Sequence, residues 1–308
     1  MAQGTDPRLS AFFSRPPAQL EDDGWERLEL QGGAPLWRQG SQADSLAWVE
    51  HGTLRVDADE AERGRIEAGE LLGEASAFIP NQPRSADITA LVPSRLWVLR
   101  RTRLSHLRGN NVEFYDMILR AAIATVARRI VDSDRELRLR HRTNHELPEW
   151  TPPTLWARFR RQMVERPDTP PPVADAIAAL PKIPPTGVLT SDIGNIAEPL
   201  WLKTDEALCL EGDPARSMYV VARGTLMVML CAGDTTIELS RIGPGALLGT
   251  AALLHESERT ASLVAAEPTW VYEFARERVD ALSAGAWRLL AESLLTVMRD
   301  QLIRTHER

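Results

Sequence analysis

Short stretches in each half of the chain either alternate between apolar and polar residues or are continuously apolar, and a glycine separates each pair of them. The alternating segments are Ser45–Val49 and Thr53–Val56 around Gly52, and Ser217–Ala222 and Thr225–Cys231 around Gly224. A period of two is typical of half-buried strands, and a glycine between two such segments is typical of a tight turn. The pattern therefore predicts one β-hairpin in each half of the chain.

Further strands follow each hairpin, and each series ends in a segment with helical spacing. The additional strands are predicted at Asp87–Leu91, Arg95–Leu99, Ala261–Ala266 and Thr269–Phe274. Val112–Arg140 and Gly285–Glu307 then carry apolar residues at helical spacing without a proline. Short strands separated by regular turns indicate a jelly roll. The predicted fold is mainly β with α: two tandem β-roll (jelly-roll) domains, each followed by a long helix.

The two halves also share sequence. Leu36–Val56 aligns without a gap with Leu208–Val228, and nine of these positions are identical. The downstream matches are Gly69–Gly73 with Gly245–Gly249 and Arg84-Ser85-Ala86 with Arg259-Thr260-Ala261. Shared glycines and apolar positions over this distance indicate a tandem duplication.

The duplication predicts domain 1 at residues 18–140 and domain 2 at residues 196–308, joined by a proline-rich linker at 141–195. The prolines between Pro148 and Pro185 exclude a continuous helix or central strand and favour extended segments. A short amphipathic insert, Thr154–Glu165, interrupts them. We therefore expect a structured linker.

Charge and composition narrow the functional classes. The 308 residues have a net charge of -7 and a pI near 5.5, so nucleic acid is not expected as the main partner. No apolar stretch approaches the roughly 20 residues of a membrane-spanning helix, and Met1–Ser14 does not resemble a secretory signal. Cys209 and Cys231 lie in strand-like segments, as buried reduced thiols do. We expect a cytoplasmic protein that neither binds DNA nor inserts into membranes.

No enzyme motif is apparent: the chain has no nucleophile elbow, P-loop or CxxC pair. His141 and His145 have the spacing of helical metal ligands, but a third ligand is missing nearby. The basic run Arg135–Arg142 is typical of a solvated helix face. The sequence therefore predicts a protein that is not an enzyme and binds no metal.

The segment Gly69–Ala86, GELLGEASAFIPNQPRSA, resembles the phosphate-binding cassette of the cyclic-nucleotide-binding domain family. In that family a Gly-Glu pair precedes a short helix, and an arginine follows at a fixed distance. A glycine turn before a helix presents N–H groups to an anion, and a guanidinium forms charge-assisted hydrogen bonds with phosphate. The spacing is most similar to that of catabolite activator proteins.

The resemblance implies that Glu74 holds a ribose hydroxyl, while Arg84 and Ser85 hold the phosphate. Three further positions would supply backbone donors or turn geometry: Gly73, Ala75 and Ser76. Ala75 departs from the leucine that the family usually has there. The implied ligand is a cyclic nucleotide, cAMP in preference to cGMP. Two alternatives remain open: a different anionic ligand, or a pocket in which Glu74 and Arg84 form an ion pair and bind nothing.

Domain 2 keeps part of this cassette. Gly249, Arg259 and Thr260 align with it, but Thr250 stands where domain 1 has Glu74. Losing a hydrogen bond to a charged group costs about 1.5–3 kcal/mol. We therefore expect a second, weaker site in domain 2.

The helix after domain 1 carries apolar residues at heptad-like steps. The series is Leu119, Ile123, Val126, Ile130 and Leu137, with Ser133 between the last two. Such a face either packs on its own β-roll or forms a parallel homodimer through residues 112–140. In the family this helix also covers the base, which implies that Ser133 and Asp134 face it.

The tandem layout is similar to that of regulatory subunits of cAMP-dependent protein kinase, and no helix-turn-helix segment follows either roll. The Arg160-Arg161 pair lies between the domains, whereas those subunits place an inhibitory pair before both. The sequence thus predicts a cyclic-nucleotide-responsive regulatory protein that signals to a separate partner protein. The alternative is a ligand-independent, dimerising interaction scaffold.

Overall fold

The computed structural model describes residues 11–143, 168–232, 235–253 and 257–306. The chain divides into two compact units, residues 1–126 and 127–308. The domain limits given above stay a prediction, whereas the predicted fold class is confirmed by the strands and helices described next.

The first unit contains eight described strands and begins with helix α1. The elements are α1 (Pro17–Asp22), β1 (Trp25–Leu30), β2 (Pro35–Trp37), β3 (Ser45–His51), β4 (Thr53–Ala58), β5 (Ala61–Glu67), β6 (Leu71–Leu72), α2 (Glu74–Ala77), β7 (Asp87–Ala90), β8 (Ser94–Arg100) and α3 (Arg101–Asn110). A long helix, α4 (Val112–Thr143), follows and continues into the second unit.

These strands form two antiparallel four-stranded sheets, with strand orders β1-β8-β3-β6 and β2-β7-β4-β5. Inward side chains from both sheets form one apolar core, in which Val49, Leu54 and Leu96 are fully buried. In the predicted hairpin, β3 is buried on both faces from Ser45 to Val49, and β4 is less buried. Gly52, at the turn, has a φ of +104°, a conformation that glycine adopts without strain.

The second unit repeats this arrangement. Its elements are α5 (Val173–Ala178), α6 (Val188–Asn195), β9 (Ala197–Leu202), β10 (Ala207–Cys209), β11 (Pro214–Ala215), β12 (Ser217–Arg223), β13 (Leu226–Ala232), β14 (Thr235–Ile242), β15 (Leu247–Leu248), a 3₁₀ turn (Thr250–Leu253), β16 (Ser257–Glu258), β17 (Ser262–Ala265), β18 (Thr269–Ala275), α7 (Arg276–Asp280) and α8 (Ala284–His306). The four-stranded sheets have orders β15-β12-β18-β9 and β10-β17-β13-β14, and β11 pairs with β16.

Backbone hydrogen bonds show that the two repeats are equivalent at the cassette. The Gly40 amide donates to the Arg84 carbonyl at 2.9 Å, and the Gly212 amide donates to the Arg259 carbonyl at 2.9 Å. The arginine amides likewise donate to Ser41 and to its aligned residue, at 2.7 and 2.8 Å. The duplication inferred from sequence is therefore also a structural duplication.

Both predicted long helices are present as α4 and α8. Leu119, Ile123, Val126 and Ile130 are only 0–2% exposed within one chain. Burial of this kind favours packing within the chain over the predicted dimer seam, because a second copy would find these side chains already covered. The homodimer through residues 112–140 stays a prediction, and the side chains from Asp134 to the helix end lie outside those described.

The described part of the linker is ordered against domain 2. Helix α5 begins directly after Pro170-Pro171-Pro172, as helices do when proline precedes or occupies their first turn. Upstream, Asp168 accepts hydrogen bonds from Trp270 Nε1 at 2.8 Å and from Arg223. The Trp270 bond is the main reason that the pKa of Asp168 is lowered. The insert Thr154–Glu165 and the Arg160-Arg161 pair lie outside the described residues.

None of the described helices is long and apolar enough to cross a membrane.

Candidate functional site

The cassette of domain 1 contains a glycine in the left-handed backbone conformation, directly before helix α2. Gly73 has a φ of +74°, and helix α2 starts at the next residue. A Cβ atom at Gly73 would lie 2.6 Å from Nη1 of Arg84 and 2.7 Å from Cη2 of Trp37. Both the conformation and the close approach require glycine here.

Arg84 lies beneath this turn and is only 4% exposed. Its Nη2 donates to the carbonyl oxygen of Ser45 at 2.8 Å and to the Ser45 hydroxyl at 3.0 Å. Asp44 lies 3.8 Å from the same nitrogen. The Nε and Nη1 atoms are buried and have no hydrogen-bond partner among the described residues. The guanidinium therefore keeps donors for a further acceptor.

Burial lowers the pKa of Arg84 to about 10, while the carboxylates of Asp44 and Glu74 oppose that change and Arg101 adds to it. A pKa near 10 still leaves the side chain cationic at neutral pH. Burying a cation is costly unless anionic groups compensate it. The two carboxylates provide that compensation in domain 1.

Glu74 is fully buried at the first position of α2, next to Gly73. Arg101 contacts the end of the same helix: it donates from Nε to the carbonyl oxygen of Ala77 at 3.0 Å, and from Nη2 to that of Ala43. The site thus combines a buried carboxylate and a buried guanidinium, which are the groups that bind a sugar hydroxyl and a phosphate.

Trp37, which the sequence analysis did not select, completes this site. Its ring centroid lies 3.4 Å from Cζ of Arg84, so the indole stacks on one face of the guanidinium. In the aligned repeats, domain 2 has Cys209 at this position. The sequence signal that could have identified Trp37 is this difference: a large aromatic residue aligns with a small residue where the two repeats otherwise match.

The other predicted residues of domain 1 are less closely associated with the site. Ser85 is exposed, although it follows Arg84 directly. Ser133 is partly exposed on α4 and belongs to the second compact unit, so its predicted role toward the base stays a prediction. The side chains of Ala75, Ser76 and Asp134 are outside those described.

The cassette of domain 2 keeps the left-handed glycine and the backbone hydrogen bonds of the arginine, but the side chains around the arginine differ. Gly249 has a φ of +68°, and a Cβ there would collide with Nη1 of Arg259. Arg259 is 8% exposed and donates from Nη2 to the Tyr219 hydroxyl at 3.3 Å. Thr250, 2% exposed, occupies the place of the carboxylate. Burial is the main cause that raises the pKa of Tyr219, and the charge of Arg259 opposes it.

A cavity of about 880 Å³ opens beside Arg259 within the second unit. Its walls include four cassette residues, Gly249, Thr250, Arg259 and Thr260, and also Cys209. Cys209 is buried and reduced, and desolvation raises the pKa of its thiol. The side chain of Cys231 lies outside those described. Among the described residues, no group of three or more His, Cys, Asp or Glu side chains forms a candidate metal site.

A family model described as the cyclic nucleotide-binding domain matches the chain twice, at residues 27–111 and 199–285. The two matches cover more than half of the 308 residues and coincide with the two β-rolls. Each match includes one of the two cassettes described above.

Several curated proteins are similar to the chain. The type II regulatory subunit of cAMP-dependent protein kinase from Drosophila melanogaster is 23% identical over 250 residues, which are 80% of this chain and 51% of that protein. An uncharacterised protein of Mycobacterium tuberculosis is 38% identical over 80 residues, 26% of this chain and 16% of that protein. The chain therefore spans about half or less of the length of these relatives.

Solved structures with similar folds include a regulatory domain of Toxoplasma gondii protein kinase A with cAMP. It is 17% identical, with 91% of this chain and 90% of that chain covered and a TM-score of 0.33. The catabolite activator protein of Thermus thermophilus is 28% identical over 37% of this chain and 53% of that chain, with a TM-score of 0.34. Both TM-scores are low, and the two family-model matches carry the assignment.

Proposed function

The chain belongs to the cyclic nucleotide-binding domain family, and from this premise we propose that it is a regulatory protein whose domain 1 binds a cyclic nucleotide. One observation carries the proposal. Arg84 is buried and cationic, yet its Nε and Nη1 donors have no hydrogen-bond partner among the described residues. Buried donors of a charged group are costly unless an acceptor reaches them, and a cyclic phosphate supplies such acceptors.

The neighbouring residues fit the rest of such a ligand. Glu74 lies one residue after the glycine turn and is an acceptor for a ribose hydroxyl. Ser85 follows Arg84 and adds a hydroxyl donor beside the phosphate. Trp37 covers one face of the guanidinium, but guanidinium N–H groups point outward within the plane of the group. Stacking therefore leaves the donating edge available to a phosphate.

We place cAMP before cGMP as the ligand, and Ser133 and Asp134 on α4 as the residues that face the base. Ligand binding in domain 1 then changes the position of α4, and a separate partner protein reads that change. In this proposal the protein acts in the cytoplasm and catalyses no reaction itself. A homodimer through residues 112–140 would use faces of α4 other than the one that carries the buried Leu119, Ile123, Val126 and Ile130.

Isothermal calorimetry with cAMP, cGMP and cyclic di-GMP tests the proposal. We expect one of the three to bind the full-length chain and Arg84→Gln to weaken that binding about 100-fold, because two charge-assisted hydrogen bonds are lost. Arg27→Gln is the matched control, since Arg27 is partly exposed in domain 1 and lies 4.0 Å from Glu50. Thermal unfolding of each variant reports whether the fold is kept.

A ligand-independent scaffold is the second candidate function. It is favoured by the contacts that Arg84 already makes with Ser45, Asp44 and Trp37, which describe a site closed by its own side chains. Absence of binding with all three nucleotides would contradict the receptor and leave the scaffold. Binding at one site that Arg84→Gln abolishes would contradict the scaffold.

A further inference from the structure

Arg259 of domain 2 differs from Arg84 in its surroundings. Among the described residues Arg259 has no carboxylate within ion-pair distance. Its polar side-chain contact is the hydroxyl of Tyr219, and the centroid of the Tyr219 ring lies 5.0 Å from Cζ of Arg259. It is also the buried charged residue in the wall of the 880 Å³ cavity. A buried cation at a cavity wall that forms no ion pair with a described carboxylate favours an anion in that cavity.

The aligned repeats show why the acidic neighbours are missing. Domain 1 has two carboxylates beside its arginine, Glu74 and Asp44. Their aligned residues in domain 2 are Thr250 and Arg216. The replacements remove both negative charges, and the second introduces an exposed positive one. Domain 2 therefore lacks, at these two positions, the acidic groups that offset the charge of the arginine in domain 1.

The cavity walls away from Arg259 are largely apolar. Apolar wall residues from the strands are Val228, Leu230, Leu239, Leu248 and Leu263. The volume of 880 Å³ is typical of a small-molecule pocket. The other charged lining residues lie at exposed positions: Glu258 directly precedes Arg259, Arg241 is ion-paired with Glu238, and Asp300 with Arg299. Arg259 is thus the buried charge of a wall that is apolar over its sheet residues and polar where the exposed residues lie.

We propose that the domain 2 cavity binds an anionic amphiphile, a carboxylate or phosphate monoester with a hydrocarbon body, whose head group is held by Arg259. The Thr250 hydroxyl lies beside the head group as a neutral hydrogen-bonding group. Thr250 stands where domain 1 has the carboxylate that would accept hydrogen bonds from a sugar hydroxyl, so a nucleotide is the poorer ligand. This inference does not depend on whether domain 1 binds a cyclic nucleotide.

Calorimetry of the full-length chain with octanoate, decanoate and dodecanoate, each below its micelle concentration, tests the cavity. We expect one site, with affinity rising roughly fourfold per added methylene, because each buried methylene adds a fixed hydrophobic increment. Dodecanol, which keeps the hydrocarbon and lacks the charge, should bind at least about 30-fold more weakly than dodecanoate.

Four variants, one of them a control, identify the site. Arg259→Met should weaken dodecanoate binding about 30-fold, whereas Arg278→Met, at an exposed arginine that pairs with Glu198 outside the cavity, should leave it unchanged. Cys209→Trp gives domain 2 the indole that domain 1 has at this position, and should abolish binding while Arg259 stays in place. Cys209→Leu, a smaller filling, should weaken binding less.

Several results would overturn the proposal: no binding of any chain length, equal binding of dodecanol and dodecanoate, or unchanged binding to the folded Arg259→Met variant. Competition between cAMP and dodecanoate provides one more test. Saturating cAMP that displaces dodecanoate would show that domain 2 is a nucleotide site, which contradicts the inference. Dodecanoate binding that persists in cAMP supports it, and failure of cAMP to bind at all would affect only the proposal for domain 1.

Discussion

The two cassettes share a backbone and differ in the chemistry beside the arginine. In domain 1 the guanidinium of Arg84 has Asp44 and Glu74 as acidic neighbours and an indole on its face. In domain 2, Arg259 contacts a phenol and borders an open cavity. The matching backbone hydrogen bonds show that each arginine is anchored in the same way, so the difference lies in the side chains around it and in the segment before it. A duplicated fold can therefore keep its anion-binding geometry while it changes what the site accepts.

The largest expected effect concerns the glycine that both cassettes share. Gly73→Ala should lower the free energy of unfolding by about 3 kcal/mol, because the left-handed φ and the contacts with Arg84 and Trp37 both oppose a Cβ. Gly40→Ala is the control, since it has a φ of +79° with nothing within 4 Å of its Cβ, and should cost about 1 kcal/mol. Urea unfolding measures both, and equal losses would contradict the role of the close contacts.

Thr250→Glu gives domain 2 the carboxylate of domain 1 and should reduce the difference between the sites. Thr250 is 2% exposed, so the new carboxylate would be buried beside Arg259 and would compete with any anionic ligand. We expect dodecanoate affinity to fall about tenfold or more, measured by calorimetry. Thr250→Val, which adds no charge, should change it much less. Unchanged affinity in Thr250→Glu would show that charge does not distinguish the two cassettes.

Asp44→Asn makes the reverse change in domain 1 and has a smaller expected effect. The Asp44 side chain is 57% exposed and lies 3.8 Å from Arg84, so solvent screens much of its charge. We expect the affinity for the preferred cyclic nucleotide to rise about threefold at low salt and the gain to shrink at high salt. A loss of affinity would show that Asp44 positions the arginine rather than only offsetting its charge.

The smallest expected effect is the pH dependence of stability that Tyr219 causes. Ala47 is the aligned residue in domain 1. Burial raises the pKa of Tyr219, so its phenolate should form above the usual value of about 10. The folded state then keeps a proton that the unfolded state releases, and stability should fall as the pH rises past that value. Near-ultraviolet titration against Tyr219→Phe isolates this residue. Arg259→Met should move the titration to still higher pH, because Arg259 lowers this pKa.

Much of the fold was predictable because its signals are local. Strand alternation, the turn at Gly52 and the glycine at position 73 each depend on a few neighbouring residues. Trp37 was missed because an aromatic residue in a short strand is also expected in a core, and its partner Arg84 is distant in sequence. The apolar face of α4 was predicted from its heptad spacing. The spacing shows which residues share a face, but it does not show whether that face packs within the chain or against a second copy. The burial of Ile123 and Val126 within one chain became apparent only from the structure.

The backbone bonds that hold each arginine have a consequence for the segment before it. Both the amide and the carbonyl of Arg84 are bonded to residues 40–41, and Arg259 is held by residues 212–213 in the same way. The intervening segments have different lengths, ten residues at 74–83 and nine at 250–258. A change of one residue in this segment therefore leaves the backbone anchor of the arginine in place. The length of the segment could thus differ between the two repeats while both kept the position of the cation.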